Sequence, residues 1–190
     1  MATTKKREMV FFDVEAAQSL SLPGECNLLE FATILVCPRC LVEVSSYSTL
    51  IRTDDAGADG GVLSASSGAP SFEDVFPDIF ELLDGRVWAG HGIRRAGCPR
   101  MRKAFGLGAP EPVGVVDSLN VLLAQGAQGC FGPAGVRDDG QEEDEEAAAA
   151  ALVEHFGIGA RWARGLRCLD GAHVSLEVLG HHEGMEFFPR

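Results

Sequence analysis

The sequence predicts an α/β domain, a mixed sheet with helices on its faces. Two observations point there. Short apolar runs rich in β-branched and aromatic residues dominate the first part of the chain, and segments with helical apolar spacing then alternate with them. In order, the elements read β-β-β-α-β-α-β-α-α-α, a succession that lays helices against one sheet. The 190 residues suffice for a full core. Hydrophobic residues at 46% and charged residues at 23% match a globular composition.

Met9–Val14 is β-rich, closes on Glu15, and is read as the first strand. Leu28–Cys37 is a nearly continuous apolar run and the second strand. Leu41–Ile51 alternates Val42, Val44, Ser46 and Ser48 with Glu43, Ser45, Tyr47 and Thr49, the period of a strand with one wet face. Pro38-Arg39 turns the two into a hairpin. The stretch 53–70 is rich in Gly, Ser, Ala and Asp and reads as a loop. Ser71 has the position of an N-cap, with Asp74 three residues on and Phe72, Val75, Phe76, Ile79, Phe80, Leu82 and Leu83 at helical spacing. Pro77 lies within that helix and Asp84-Gly85 ends it. Arg86–His91 is a short strand, Cys98–Phe105 a short basic helix and Val113–Val116 the last strand. Asp117 caps a helix over Ser118–Gln125, a Gly-rich connection covers 126–140, and 141–155 is a helix whose acids stand at its N-terminal end. Leu169–Leu179 is the final helix.

The 16 Lys+Arg and 28 Asp+Glu leave a net charge of −12, which argues against non-specific wrapping of duplex nucleic acid. No apolar run approaches the roughly 18–20 residues of a membrane span. Met1–Glu8 is polar and basic and only Met9–Phe12 follows as an apolar core, which is not the pattern of a signal peptide. Cys26, Cys37, Cys40, Cys98, Cys130 and Cys168 are therefore expected as reduced thiols of an intracellular protein, cytoplasmic or nuclear.

The strongest chemical signal is Phe11–Glu15. Asp13 and Glu15 are two apart on a strand and share a face, while Val14 points into the core. Paired carboxylates at a strand's exit repel one another unless a cation such as Mg²⁺ lies between them. The competing reading is two solvated acids at a strand end.

FFDVE, then LLEFATILVCPRCLVEVSSYSTLIR, GRVWAGHGIRRAGCPRMRKAF, VVDSLNVL, LVEHFGIG and RCLDGAHVSLEVL together resemble the plant exonuclease-domain proteins of the DEDDh superfamily, 3′-to-5′ exonucleases of RNase H-like fold. The resemblance spans roughly 8–180, between a basic tail at 1–7 and a tail at 181–190, with the loop 53–70 and an acidic insertion at 126–150 inside it. It implies a five-stranded mixed sheet in the order 3-2-1-4-5. It also implies two Mg or Mn ions held by four carboxylates, and a histidine acting as general base.

The carry-over is uneven. Asp13 and Glu15 match the first pair, as catalytic residues and metal ligands. Where the family reads His-Asn-Ile-x-x-Phe-Asp, this chain has His91-Gly92-Ile93-Arg94-Arg95-Ala96-Gly97, with Gly97 in place of the aspartate. Where the family reads His-Arg-x-Leu-Asp-Asp, this chain has Leu166-Arg167-Cys168-Leu169-Asp170-Gly171. Leu166 replaces the base and Gly171 the metal aspartate. The family's Asn-Gly-Ile-Thr segment, which contacts the terminal nucleotide, is replaced by the loop 53–70. Two carboxylates supply half the negative charge of four, and losing a general base alone costs about 10²–10⁴ in rate. Asp170 is the candidate substitute ligand, although one helical step rotates it about 100° from the lost position. His173 is the candidate substitute base.

From Arg86 to Lys103 the chain carries Arg86, Arg94, Arg95, Arg100, Arg102 and Lys103 with no acid between them, and Arg161, Arg164 and Arg167 follow later. Guanidinium groups suit phosphate. His91, Arg94, Arg95 and Arg167 are the candidate contacts for a nucleic acid; solvated helix charges are the competing reading. Cys37-Pro38-Arg39-Cys40 has metal-knuckle spacing without a second pair, and relatives tend to lack the second cysteine. Trp88 reads as core, Asp117 as a helix cap, His181-His182 as solvated, and the acidic run 138–146 as a wet face that also suits a basic partner.

The favoured expectation is a degenerate 3′-to-5′ exonuclease, a pseudoenzyme that binds single-stranded 3′ ends or pairs with an active relative or another protein. The alternatives are an active Mg-dependent exonuclease on single-stranded RNA or DNA, and a protein-interaction module without a nucleic acid role. No membrane partner is expected.

Overall fold

The computed structural model describes residues 8–18, 26–53, 68–119 and 168–180. Within them lie β1 (Met9–Gln18), β2 (Cys26–Val36), β3 (Glu43–Leu50), α1 (Phe72–Leu83), β4 (Val87–Gly90), α2 (Gly97–Phe105), β5 (Gly114–Asp117) and α3 (Cys168–Gly180). The sheet order is β3-β2-β1-β4-β5, as the resemblance implied. β1 pairs antiparallel with β2 and β2 with β3, whereas β4 is parallel to both β1 and β5. No described helix is long and apolar enough to cross a membrane.

The first strand runs on to Gln18 and the second begins at Cys26, beyond the apolar limits at Val14 and Leu28. Hairpin pairing carries both strands past the acids, through a register shift between Glu15 and Ala16. The third strand departs further from its alternation. Val42 and Val44 are 59% and 65% exposed, and Tyr47 and Thr49 are the half-buried pair. It is the sheet's edge, and Tyr47 reaches over Phe31 from its other face.

Two apolar layers sandwich the sheet. Val10, Phe12 and Val14 join Phe31, Trp88, Val75, Ile79, Leu83, Met101 and Phe105 beneath α1 and α2. Met9 and Phe11 join Ile34, Val36, Ala89, Ala172 and Leu179 beneath α3. α1 starts on a capping box, since the Ser71 hydroxyl accepts from the Asp74 amide and the Asp74 carboxylate accepts from the Ser71 amide. Pro77 is accommodated without a break. Trp88 is fully buried, with its indole N–H donating to the Leu83 carbonyl at 2.9 Å. The helices at 118–125 (after Leu119) and 141–155, most of the loop 53–70, the acidic insertion and both tails lie outside the described residues.

Candidate nucleic-acid and active site

β1 places Asp13 and Glu15 on its α3 face, both exposed. Glu30 on β2 is the register partner of Glu15, so it projects from the same face. Three carboxylates thus share one end of that face, and Glu30 is the one that is buried, at 6% exposure. Like charges directly across an antiparallel pair destabilise it, so the fold must hold Glu30 by other means. Its Oε1 accepts the Cys168 backbone N–H at 3.2 Å, and its carbonyl accepts the Cys168 thiol at 3.7 Å. Glu30 therefore ties the Cys168 amide of α3 to the second strand. Burial, reinforced by the charges of Asp13, Glu30 and Glu15, pushes the Cys168 thiol far above its ordinary range.

α3 sits directly on Asp13. A Cβ built on Gly171 would lie 2.2 Å from Asp13 Oδ2 and 3.2 Å from its Cγ. The missing side chain is what lets helix and carboxylate approach this closely. Asp13 Oδ1 accepts the Val14 amide at 2.8 Å. Asp170, one helical step away, instead lines an open groove of about 230 Å³ with Glu30, Ser48, Thr49, Leu50 and Leu169. His173, the candidate base, is turned elsewhere. Its Nε2 pairs with Glu43 Oε2 at 3.0 Å and its Nδ1 with the Leu169 carbonyl at 2.9 Å. The hydrogen bond from His173 holds the Glu43 carboxyl below its ordinary value.

The second motif lies on the other side of β1. A Cβ at Gly97 would meet Ile93 Cγ1 at 3.0 Å and Phe12 Cε2 at 3.3 Å, apolar atoms of the layer beneath α2. The chain reaches it through Gly92, whose φ of +58° suits glycine or asparagine. That is why glycine can stand where the family has asparagine. Asp117 is indeed a cap, its Oδ1 accepting the Leu119 amide at 3.1 Å. It also clamps the loop, accepting the amides of Gly92 at 3.0 Å and Arg94 at 3.1 Å. Sequence reasoning missed that second duty, as it missed Glu30. His91 Nδ1 lies 3.0 Å from Ser118 Oγ, and burial holds the imidazole pKa below its ordinary value, opposed by the Asp117 charge.

The basic stretch divides. Arg94, Arg95, Arg102 and Lys103 are exposed, with Arg94 Nη2 donating to the Val115 carbonyl at 2.7 Å. Arg86 is not part of this surface. It is buried, its Nε donates to Glu8 Oε2 at 2.8 Å, and its Nη1 is held by the carbonyls of Glu81 and Leu82. Arg100 is half-buried and donates to the Val14 carbonyl at 3.3 Å. Leu166, Arg167, Arg161 and Arg164 lie outside the described residues.

The described residues supply the first-strand pair Asp13 and Glu15 with Glu30 beside it. Glu30 is engaged by α3, position 171 offers no side chain, and position 97 starts among apolar atoms. Among the described residues no three His, Cys, Asp or Glu side chains are grouped to hold a metal ion.

Known proteins bear on the fold. The chain is 38% identical over 189 residues to the Arabidopsis thaliana protein NEN4, covering 94% of this chain and 68% of NEN4. It is 36% identical over 186 residues to NEN1 of the same plant, and it spans about a third of the length of NEN1, NEN2 and NEN3. Among solved structures, the nuclease domain of 3′hExo, a DEDDh family member bound to rAMP, matches with a TM-score of 0.53 at 14% identity, over 93% of both chains. Escherichia coli Exonuclease I in complex with a dA16 oligonucleotide matches with a TM-score of 0.60 at 14% identity, over 91% of this chain and 40% of that one. At such identity the likeness shows the fold, which is the RNase H-like fold of these exonucleases. No family model matches the chain.

Proposed function

The chain belongs to the family of the Arabidopsis thaliana NEN proteins, and from that membership we propose that it binds single-stranded 3′ ends on a nuclease fold whose hydrolytic activity is weakened or lost. The observation that carries this reading is the contact between Gly171 and Asp13. The helix that would bring a further carboxylate to the first-strand pair brings a bare backbone instead. Without such ligands the site loses the charge that would hold two Mg or Mn ions.

Binding falls to the exposed cations. Arg94 and Arg95 project from a loop that Asp117 pins through two amides, so the loop is ordered before a ligand arrives. Arg102 and Lys103 extend the same charge along α2. Guanidinium groups pair with phosphate through paired N–H donors, and contacts of this kind weaken as salt rises. Arg167 and His91 complete the proposed set. The proposed organisation keeps the domain at 8–180, with the acidic insertion 126–150 available to a protein partner.

One observation favours a second reading, an active exonuclease. Glu30 adds a third carboxylate to Asp13 and Glu15.

The test uses fluorescent single-stranded RNA and DNA oligomers of one sequence. Anisotropy is expected to show binding that survives EDTA, declines steeply with salt, and weakens about tenfold or more in Arg94→Glu/Arg95→Glu. No shortening is expected with Mg²⁺ or Mn²⁺. Shortening from the 3′ end that Asp13→Ala abolishes would establish the second reading. Absence of binding at low salt would leave a protein-interaction module.

A further inference from the structure

The β2–β3 hairpin ends in Cys37-Pro38-Arg39-Cys40, which the site does not use. The turn is tightly closed. The Leu41 amide donates to the Cys37 carbonyl at 2.8 Å and the Cys37 amide to the Val42 carbonyl at 2.9 Å. Leu41 holds a φ of +50°, the one non-glycine residue in the left-handed region among those described, and its side chain packs on the layer beneath α3. Inside this loop the backbone N–H groups of Arg39 and Cys40 and the Cys40 thiol act on the Cys37 sulfur in the direction that lowers its pKa. Both cysteines are free; Cys37 is half-buried and Cys40 exposed.

We infer that Cys37 and Cys40 form a reversible dithiol–disulfide site that takes a small peroxide, Cys37 attacking and Cys40 resolving. The Cys37 thiolate attacks one peroxide oxygen, and the O–O bond breaks. Hydroxide leaves and takes up the proton released by the thiol, so Cys37 becomes a sulfenic acid and water forms. The Cys40 sulfur then attacks the Cys37 sulfur. The S–O bond breaks, the departing hydroxide takes the Cys40 proton as a second water, and the disulfide forms. The two sulfurs together lose two electrons, and the peroxide gains them.

The surroundings favour this division of labour. The amide donors, with the Cys40 thiol and the Arg39 charge, draw the Cys37 thiol below its ordinary value against a small opposing effect of burial. Burial acts the other way at Cys98 and at Cys168, where carboxylates add to it. Thiolate character among these three therefore collects at the hairpin. The reaction needs only two sulfurs, and residues three apart in a tight turn lie within bridging reach. A thiolate-bound metal would need two further ligands, and no group of three His, Cys, Asp or Glu forms among the described residues.

Arg39 separates the two cysteines, so trypsin parts them into a fragment ending at Arg39 and one beginning at Cys40. After the folded chain meets hydrogen peroxide and remaining thiols are blocked, mass spectrometry is expected to find the fragments joined and short of two hydrogens. Dithiothreitol should part them. Cys40→Ser is expected to stop at the Cys37 sulfenic acid, captured by dimedone, and Cys37→Ser to leave Cys40 reduced. Iodoacetamide should label Cys37 at least about tenfold faster than Cys98 or Cys168 at neutral pH. Fragments that stay separate under peroxide overturn the inference. So does joining that survives Cys37→Ser, which would pair Cys40 with Cys26. A zinc ion retained by the reduced chain through gel filtration and lost in Cys40→Ser overturns it as well.

Discussion

On one face of β1, Val10, Phe12 and Val14 run unbroken into the apolar layer under α1 and α2. On the other, Met9 and Phe11 are followed by Asp13 and Glu15, and the packing under α3 gives way to charge halfway along the strand. The two faces belong to the same residues' backbone, so each can carry a different task. The dry face holds the strand in the sheet. The wet face can then tolerate like charges, including Glu30 opposite Glu15, that no isolated hairpin would keep.

The comparison makes its largest demand at Phe12, whose ring meets Trp88 edge-on at 5.3 Å and Phe31 at 6.1 Å. Phe12→Ala should cost about 3–5 kcal/mol in a denaturant titration. A loss under about 1 kcal/mol would mean that the other face holds the strand.

Gly171→Ala should destabilise the native chain by about 1–3 kcal/mol, because the added methyl collides with Asp13. In an Asp13→Ala chain the same change should gain up to about 1 kcal/mol from helix propensity. A double-mutant cycle by chemical denaturation reads the change of sign. Equal effects in both chains would remove Gly171 from the site.

Glu15→Gln should gain about 0.2–1 kcal/mol by relieving the charge across from Glu30, measured as a raised midpoint in urea. A loss would show that a cation or an unrecognised donor already neutralises the trio.

The smallest effect concerns the pair that holds α3 to the sheet's edge. His173→Ala should cost no more than about 1 kcal/mol and less in high salt, since the His173 and Glu43 side chains are 27% and 39% exposed. The Glu43 carboxyl is more acidic folded than unfolded. Its contribution is complete above the ordinary value of 4.5 and fades as the pH falls through the lower folded value. Thermal unfolding between neutral pH and acid should therefore show a shallower acid limb in the variant.

Much of the site was legible in sequence because strand alternation is local. Asp13 and Glu15 had to share a face, Asp117 had to cap, and Ser71 with Asp74 had to begin a helix. The one-step rotation that separates Asp170 from Gly171 was equally local. Glu30 was not legible, since it sits in an apolar run and reads there as an interruption. Its signal lay in the hairpin register, which sets it opposite Glu15. His173 and Arg86 were misjudged for the same reason. Their partners, Glu43 and Glu8, are distant in the chain and nothing in the local pattern announces them.

By itself, the sequence determined the order of the described strands and helices, the two carboxylates of the first strand and the cysteines of the hairpin turn, all consequences of short-range periodicity and turn chemistry. The tertiary structure alone decided that Glu30 holds the Cys168 amide of α3 across 138 residues of chain and that Gly171 rests against Asp13. It also decided that Gly97 faces Phe12 instead. Those contacts follow from how helices dock on a twisted sheet, and docking minimises the free energy of all the layers together rather than of any one segment.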